Sequence, residues 1–154
     1  MEGNDIGITV QKHLACMFEG LLCTVLPQDE VPKKRRFFGK TKELELPDKE
    51  MERIVRSWKP NEMPIKSVIH LTQQLGIGVE VYTYYPPDFV EPIERWLGRK
   101  GVHVNVVAYD DVMHLQEDFK YNRDVQVLFT PYENDAQMLG IRSTVVSPNQ
   151  TFGF

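Results

Sequence analysis

The spacing of apolar positions changes repeatedly along this chain between a strand-like and a helical period. Lys12 to Phe18 is a short apolar run of strand length. Glu62 to Leu75 has helical spacing, with Ile65, Val68, Ile69, Leu71 and Leu75 largely on one face, and Gly76 and Gly78 closing it. Val79 to Tyr84 is rich in β-branched and aromatic residues and predicts a second strand. Pro86-Pro87-Asp88 interrupts it. Asp88 is placed to cap a helix from Phe89 to Arg99, whose apolar face is Val90, Ile93, Trp96 and Leu97, with Pro92 tolerated near the first turn.

The alternation continues to the end of the chain. Gly101 stops that helix, and Val102 to Tyr109 predicts a third strand. A short helix from Asp110 to Phe119, a strand from Asp124 to Phe129, a helix from Tyr132 to Leu139 ended by Gly140, and a strand from Ile141 to Val146 follow. Strand and helix taken in turn predict an α/β fold around a mostly parallel five-stranded sheet, with right-handed crossovers and helices on both faces. Ligands of such sheets bind beyond the C-terminal ends of the strands. Glu19, Thr83 and Thr130 lie at or just past those ends.

One stretch breaks the rhythm. Leu26 to Pro60 carries Pro27, Pro32, Pro47 and Pro60 and the basic run Lys33-Lys34-Arg35-Arg36, followed by Phe37-Phe38-Gly39. Glu43 to Leu46 alternates like a small strand, and Asp48 to Trp58 has the pattern of a short helix. This stretch is expected to form a small flap or cap inserted after the first strand of a single domain.

Composition narrows the class without naming it. The 154 residues are 42% hydrophobic and 26% charged, the make-up of an ordinary globular domain. With a net charge of −4 a dominant nucleic-acid surface is not expected, although a local basic patch is compatible with it. No apolar run approaches the ~18 residues of a membrane span. The acidic start, Met1-Glu2-Gly3-Asn4-Asp5, is unlike a secretory leader, so a cytoplasmic protein is expected. Cys16 and Cys23 read as buried thiols rather than a disulfide, and His13, His70, His103 and His114 are too scattered for a zinc site.

The chemistry concentrates at Leu14-Ala15-Cys16-Met17-Phe18-Glu19-Gly20-Leu21-Leu22-Cys23-Thr24, an apolar strand ending in an acidic, glycine-bearing turn. It resembles the first motif of the haloacid-dehalogenase-like (HAD) phosphohydrolases, Asp-x-Asp-Gly-Thr-Leu after a buried strand, and the likeness extends over residues 12 to 148. The resemblance implies a Rossmann-like three-layer sandwich. It places Met17 at the nucleophilic aspartate and Glu19 at the acid/base aspartate, while Gly20 matches and Leu21 replaces the usual Thr. Thr83 falls at the phosphate-binding Ser/Thr of the second motif and Lys120 at the charge-offsetting Lys of the third. The acidic pair of the fourth motif becomes Thr130-Pro131, with Glu133 and Asp135 only in the following turn. Asp110-Asp111 reads as a helix cap.

Methionine cannot be this nucleophile, and its thioether is a poor ligand for Mg²⁺. The resemblance therefore implies a phosphatase frame without its reactive centre and without a cofactor, Mg²⁺ entering only with residual phosphohydrolase activity. The first expectation is a protein-binding adaptor, inhibitor or structural module. Its contact residues would be Lys33, Lys34, Arg35, Arg36, Phe37 and Phe38, with the tail Thr151 to Phe154 as a second surface. The alternative is a non-catalytic binder of a phosphorylated ligand or nucleic-acid end through Gly20, Thr83 and Lys120. An enzyme using Glu19 with another nucleophile, Cys23 being nearest, ranks last. Small HAD-like chains also occur in viral genomes, which extends the expectation to a phage protein in the host cytoplasm or virion.

Overall fold

The computed structural model describes residues 13–25, 35–37, 40–42, 48–109, 117, 125–132 and 143–152. Five strands form one sheet: β1 (His13–Met17), β4 (Gly78–Thr83), β5 (Asn105–Ala108), β6 (Val125–Thr130) and β7 (Ser143–Val145). Every pairing in it is parallel, in the order β5-β4-β1-β6-β7. A separate antiparallel pair, β2 (Arg35–Phe37) and β3 (Lys40–Lys42), three α-helices, α1 (Asp48–Ser57), α2 (Glu62–Ile69) and α3 (Val90–Gly98), a π turn (His70–Gln74) and a 3₁₀ turn (Pro87–Phe89) complete the described elements. The α/β class and the parallel sheet agree with the apolar pattern. The expected helices 110–119 and 132–139 lie outside the described residues, apart from the helical position Glu117.

The central strand is the most apolar because it is covered on both faces. Ala15, Cys16, Met17 and Phe18 are fully buried, as are Val81 and Tyr82 of β4 and Leu128 of β6. β1 is paired from His13 to Met17 with β4, and Phe18 N–H extends that ladder to Tyr82 O at 2.9 Å. Its pairing with β6 is interrupted by an irregularity between His13 and Leu14.

Several expectations shift for local reasons. The helix expected through Leu75 is α-helical only to Ile69 and continues as a π turn over His70–Gln74, where Leu75 N–H reaches back to His70 O. A π turn inserts a residue into the helical register. Leu71 is thus still buried, while Leu75 is 50% exposed instead of joining the core. Asp88 makes no side-chain cap: it lies in a 3₁₀ turn, Pro87–Phe89, that leads into α3. β5 starts only at Asn105, because Val102 N–H is held by Leu97 O in the turn that closes α3.

The stretch expected to be a flap contains the small hairpin β2–β3 and α1. Of these, α1 joins the main core through Ile54, and Trp58 follows it inward. Trp58 meets Phe18, Tyr85 and Trp96 edge to face at centroid distances of 5.1, 5.3 and 5.9 Å. Phe89 lies 4.7 Å from Tyr85. Trp58 Nε1–H donates to Tyr85 Oη at 3.0 Å, which satisfies the polar end of each ring inside this cluster. The expected terminal partner surface is partly consumed as well. Phe152 is buried, stacks on Phe129 at 4.5 Å, and its N–H is accepted by Ser67 Oγ.

Candidate functional site

The ends of β1, β4 and β6 bring Met17, Glu19, Thr83 and Thr130 to one edge of the sheet, and all four are fully buried. The loop after β1 is tight: Cys23 N–H reaches back to Phe18 O and Gly20 N–H to Cys23 O. Gly20 sits at φ 78°. A Cβ there would come within 2.9 Å of Tyr132 Cζ and closer still to its hydroxyl, so both backbone sign and space require glycine. Asn61 pins the far side of the loop, its Nδ2 donating to Leu21 O and its N–H to Leu22 O.

Glu19 is the hub of this edge. Thr83 Oγ1 donates to Glu19 Oε2 at 2.5 Å, and Tyr84 N–H lies 3.1 and 3.2 Å from the two carboxylate oxygens. Thr83 Oγ1 also accepts Tyr85 N–H at 3.1 Å. Burial pushes the Glu19 carboxyl up to about 7, against the lowering effect of the Thr83 hydroxyl and the neighbouring backbone N–H groups. The carboxyl thus ties the end of β1 to the end of β4 across 64 positions of sequence.

The other positions are equally engaged. Met17 Sδ accepts the Tyr109 hydroxyl at 3.5 Å, and Tyr109 packs against Tyr82 and Tyr84. Thr130 Oγ1 accepts Tyr132 N–H in a local turn, and Pro131 follows it half-buried. Burial pushes the Cys23 thiol up to about 12 and raises Cys16 further. Burial thus disfavours the thiolate form of both.

Gly20 and Thr83, assigned above to an anion, come together with Glu19, but their donors are spent: Gly20 N–H on Cys23 O and the Thr83 hydroxyl on Glu19. Lys120, Glu133, Asp135, Asp110, Asp111, Lys33, Lys34 and Phe38 lie outside the described residues; Arg35, Arg36 and Phe37 form β2. Of the described groups at this edge only Glu19 is a carboxylate, and the described residues hold no cluster of three His, Cys, Asp or Glu side chains suited to a metal. These residues do not fit Mg²⁺, which needs several oxygen ligands in octahedral array.

Sequence reasoning missed Tyr109, Tyr84 and Asn61. Tyr84 acts through its backbone N–H, which carries no side-chain signal, and Tyr109 and Asn61 reach the site only by tertiary packing. No helix among the described residues is long and apolar enough to cross a membrane. No family model, curated protein or solved structure matches this chain.

Proposed function

We propose that this chain is a catalytically inactive, HAD-like domain that acts by binding a protein partner. The sheet order supports a Rossmann-like core: numbered along the chain, its strands run 3-2-1-4-5, with the direction of winding reversing beside β1. Right-handed crossovers on either side of that reversal favour three layers. The hairpin β2–β3 then belongs to a small cap after the first strand. The observation that carries the reading is the sealed carboxyl of Glu19. Its hydrogen bonds go to Thr83 and Tyr84, it is fully buried, and a methionine stands two residues before it where a nucleophile would be needed.

The test has two arms. Purified protein is assayed against a panel of phosphomonoesters and acetyl phosphate with Mg²⁺ or Mn²⁺, and turnover at the level of uncatalysed hydrolysis is expected. Turnover that disappears in Glu19→Gln would overturn the reading. In parallel, the tagged protein is recovered from its native cell, or from infected host lysate if it is a phage protein of cytoplasm or virion. A stoichiometric protein partner is expected; recovery of nucleotide or nucleic acid alone would transfer the function to anion binding.

A further inference from the structure

Beside the aromatic cluster the described residues leave a groove. α1 and α3 meet through Trp58 and Trp96, and beside that contact a groove of about 610 Å³ runs between the two helices. Its floor is apolar: Trp58, Trp96 and Pro92, with the half-buried Met51 and Val55 of α1. Its rim is cationic, with Arg56 from α1, Arg95 from α3 and Arg99 at the cap just past its end, against one carboxylate among the described residues, Glu52. Glu52 lies 3.7 Å from Arg56. Among the described residues Arg95 and Arg99 have no carboxylate within ion-pair distance. Lys100 extends the positive strip, its Nζ 4.2 Å above the Trp96 ring. This local excess of positive charge stands on a chain whose net charge is −4.

We propose that this groove is the protein-binding surface and that it takes an acidic amphipathic helix of the partner. The inference rests on the protein-binding reading above and deepens it. Two helices with an apolar trough between them present the shape that a third helix fills with its apolar face. Arg95 and Arg99 are one helical turn apart on the exposed side of α3. That is the spacing of carboxylates one turn apart on a helix lying alongside, and guanidinium binds carboxylate through two parallel N–H donors. Trp and Arg are also the side chains that most often dominate binding energy at interfaces. A basic segment would meet three arginines and be repelled.

Trp58 and Trp96 are the two tryptophans of the chain, and both line the groove, so their emission reports its occupancy directly. The full chain is titrated with a short helical peptide bearing Glu on one face and Leu and Phe on the other. Its twin carries Lys in place of Glu; ATP and a single-stranded oligonucleotide complete the set. A saturable emission change with the Glu peptide, absent with the Lys twin, is expected. In the double variant R95E/R99E affinity should fall at least about tenfold with the circular dichroism spectrum unchanged. No response to the Glu peptide, an equal response to the Lys twin, or unchanged affinity in R95E/R99E would overturn the proposal. Tighter binding of ATP or the oligonucleotide would overturn it too, in favour of a phosphate ligand. If R95E/R99E still recovers the native partner, the groove is wrong while the protein-binding reading stands. Glu19-dependent phosphatase turnover would remove that reading instead.

Discussion

The end of the sheet and the groove between α1 and α3 share one wall and treat charge in opposite ways. Phe18, the residue before Glu19, packs edge to face on both Trp58 and Trp96, which form the groove floor. On the inner side of that wall a single carboxyl is buried and saturated with donors. On the outer side, guanidinium groups stand exposed over an apolar trough. A buried charge is costly unless its partners are built in, so it serves the fold. Arg95 and Arg99, exposed and paired with no described carboxylate, are open to another molecule. The proposed recognition surface thus lies away from the strand ends where the family resemblance would seek it.

Removing the hub should break the contrast most severely. Glu19→Ala leaves the Thr83 hydroxyl and Tyr84 N–H without their acceptor inside the protein and opens a cavity. A loss of about 4 kcal/mol in denaturant unfolding is expected, from roughly 1–3 kcal/mol per unsatisfied group plus packing. A loss below about 1 kcal/mol would mean that the carboxyl is not structural.

Next in size is the pH response. A carboxyl near 7 in the folded state, against 4.5 ordinarily, holds its proton more tightly when folded. Its contribution to stability is complete below pH 4.5, fades as the pH rises, and is gone above 7. For a displacement of this size that is roughly 3 kcal/mol. Glu19→Gln keeps an uncharged acceptor in place. Relative to wild type it should gain stability between about pH 5 and 8, measured by urea unfolding across that range. Parallel curves for the two proteins would contradict the buried carboxyl.

Gly20→Ala should cost about 2 kcal/mol, because φ 78° strains any Cβ and this one meets the Tyr132 ring. Thermal unfolding reads this change. The smallest effect belongs to the groove. R95E/R99E should alter stability by less than about 0.5 kcal/mol, since both arginines are exposed. A large destabilisation would show that the rim is part of the fold rather than a free surface.

How far these regions could be read in advance follows from the range of the interactions. β4 is visible as a β-branched and aromatic run because its burial is written in consecutive residues, while β5 shows only the short run Val106-Val107. The π turn at His70–Gln74 is not, since Thr72 bonds back to Val68 O and the inserted residue leaves no mark in the apolar pattern that Leu75 completes. Glu19 and Thr83 were each legible as strand-end residues, but their hydrogen bond is a tertiary fact. The role of α1 was obscured by the prolines before it, which suggested a separate flap, whereas Ile54 and Trp58 anchor it in the core. Phe152 looked like a terminal anchor for a partner because nothing local reveals Phe129 beneath it. The groove has a sequence signal too: Arg95 and Arg99 alternate with Pro92 and Trp96 along α3 and its C-cap, a cationic edge beside an apolar one.

Whether the strand-end carboxyl is sealed and serves the fold is tested most directly by following the ¹³C resonance of the Glu19 side chain through a pH titration, with and without saturating inorganic phosphate and Mg²⁺. A midpoint near 7 that neither addition moves is the predicted result. A saturable shift of that resonance by phosphate or Mg²⁺ would show that ligands reach the carboxyl and would contradict the account.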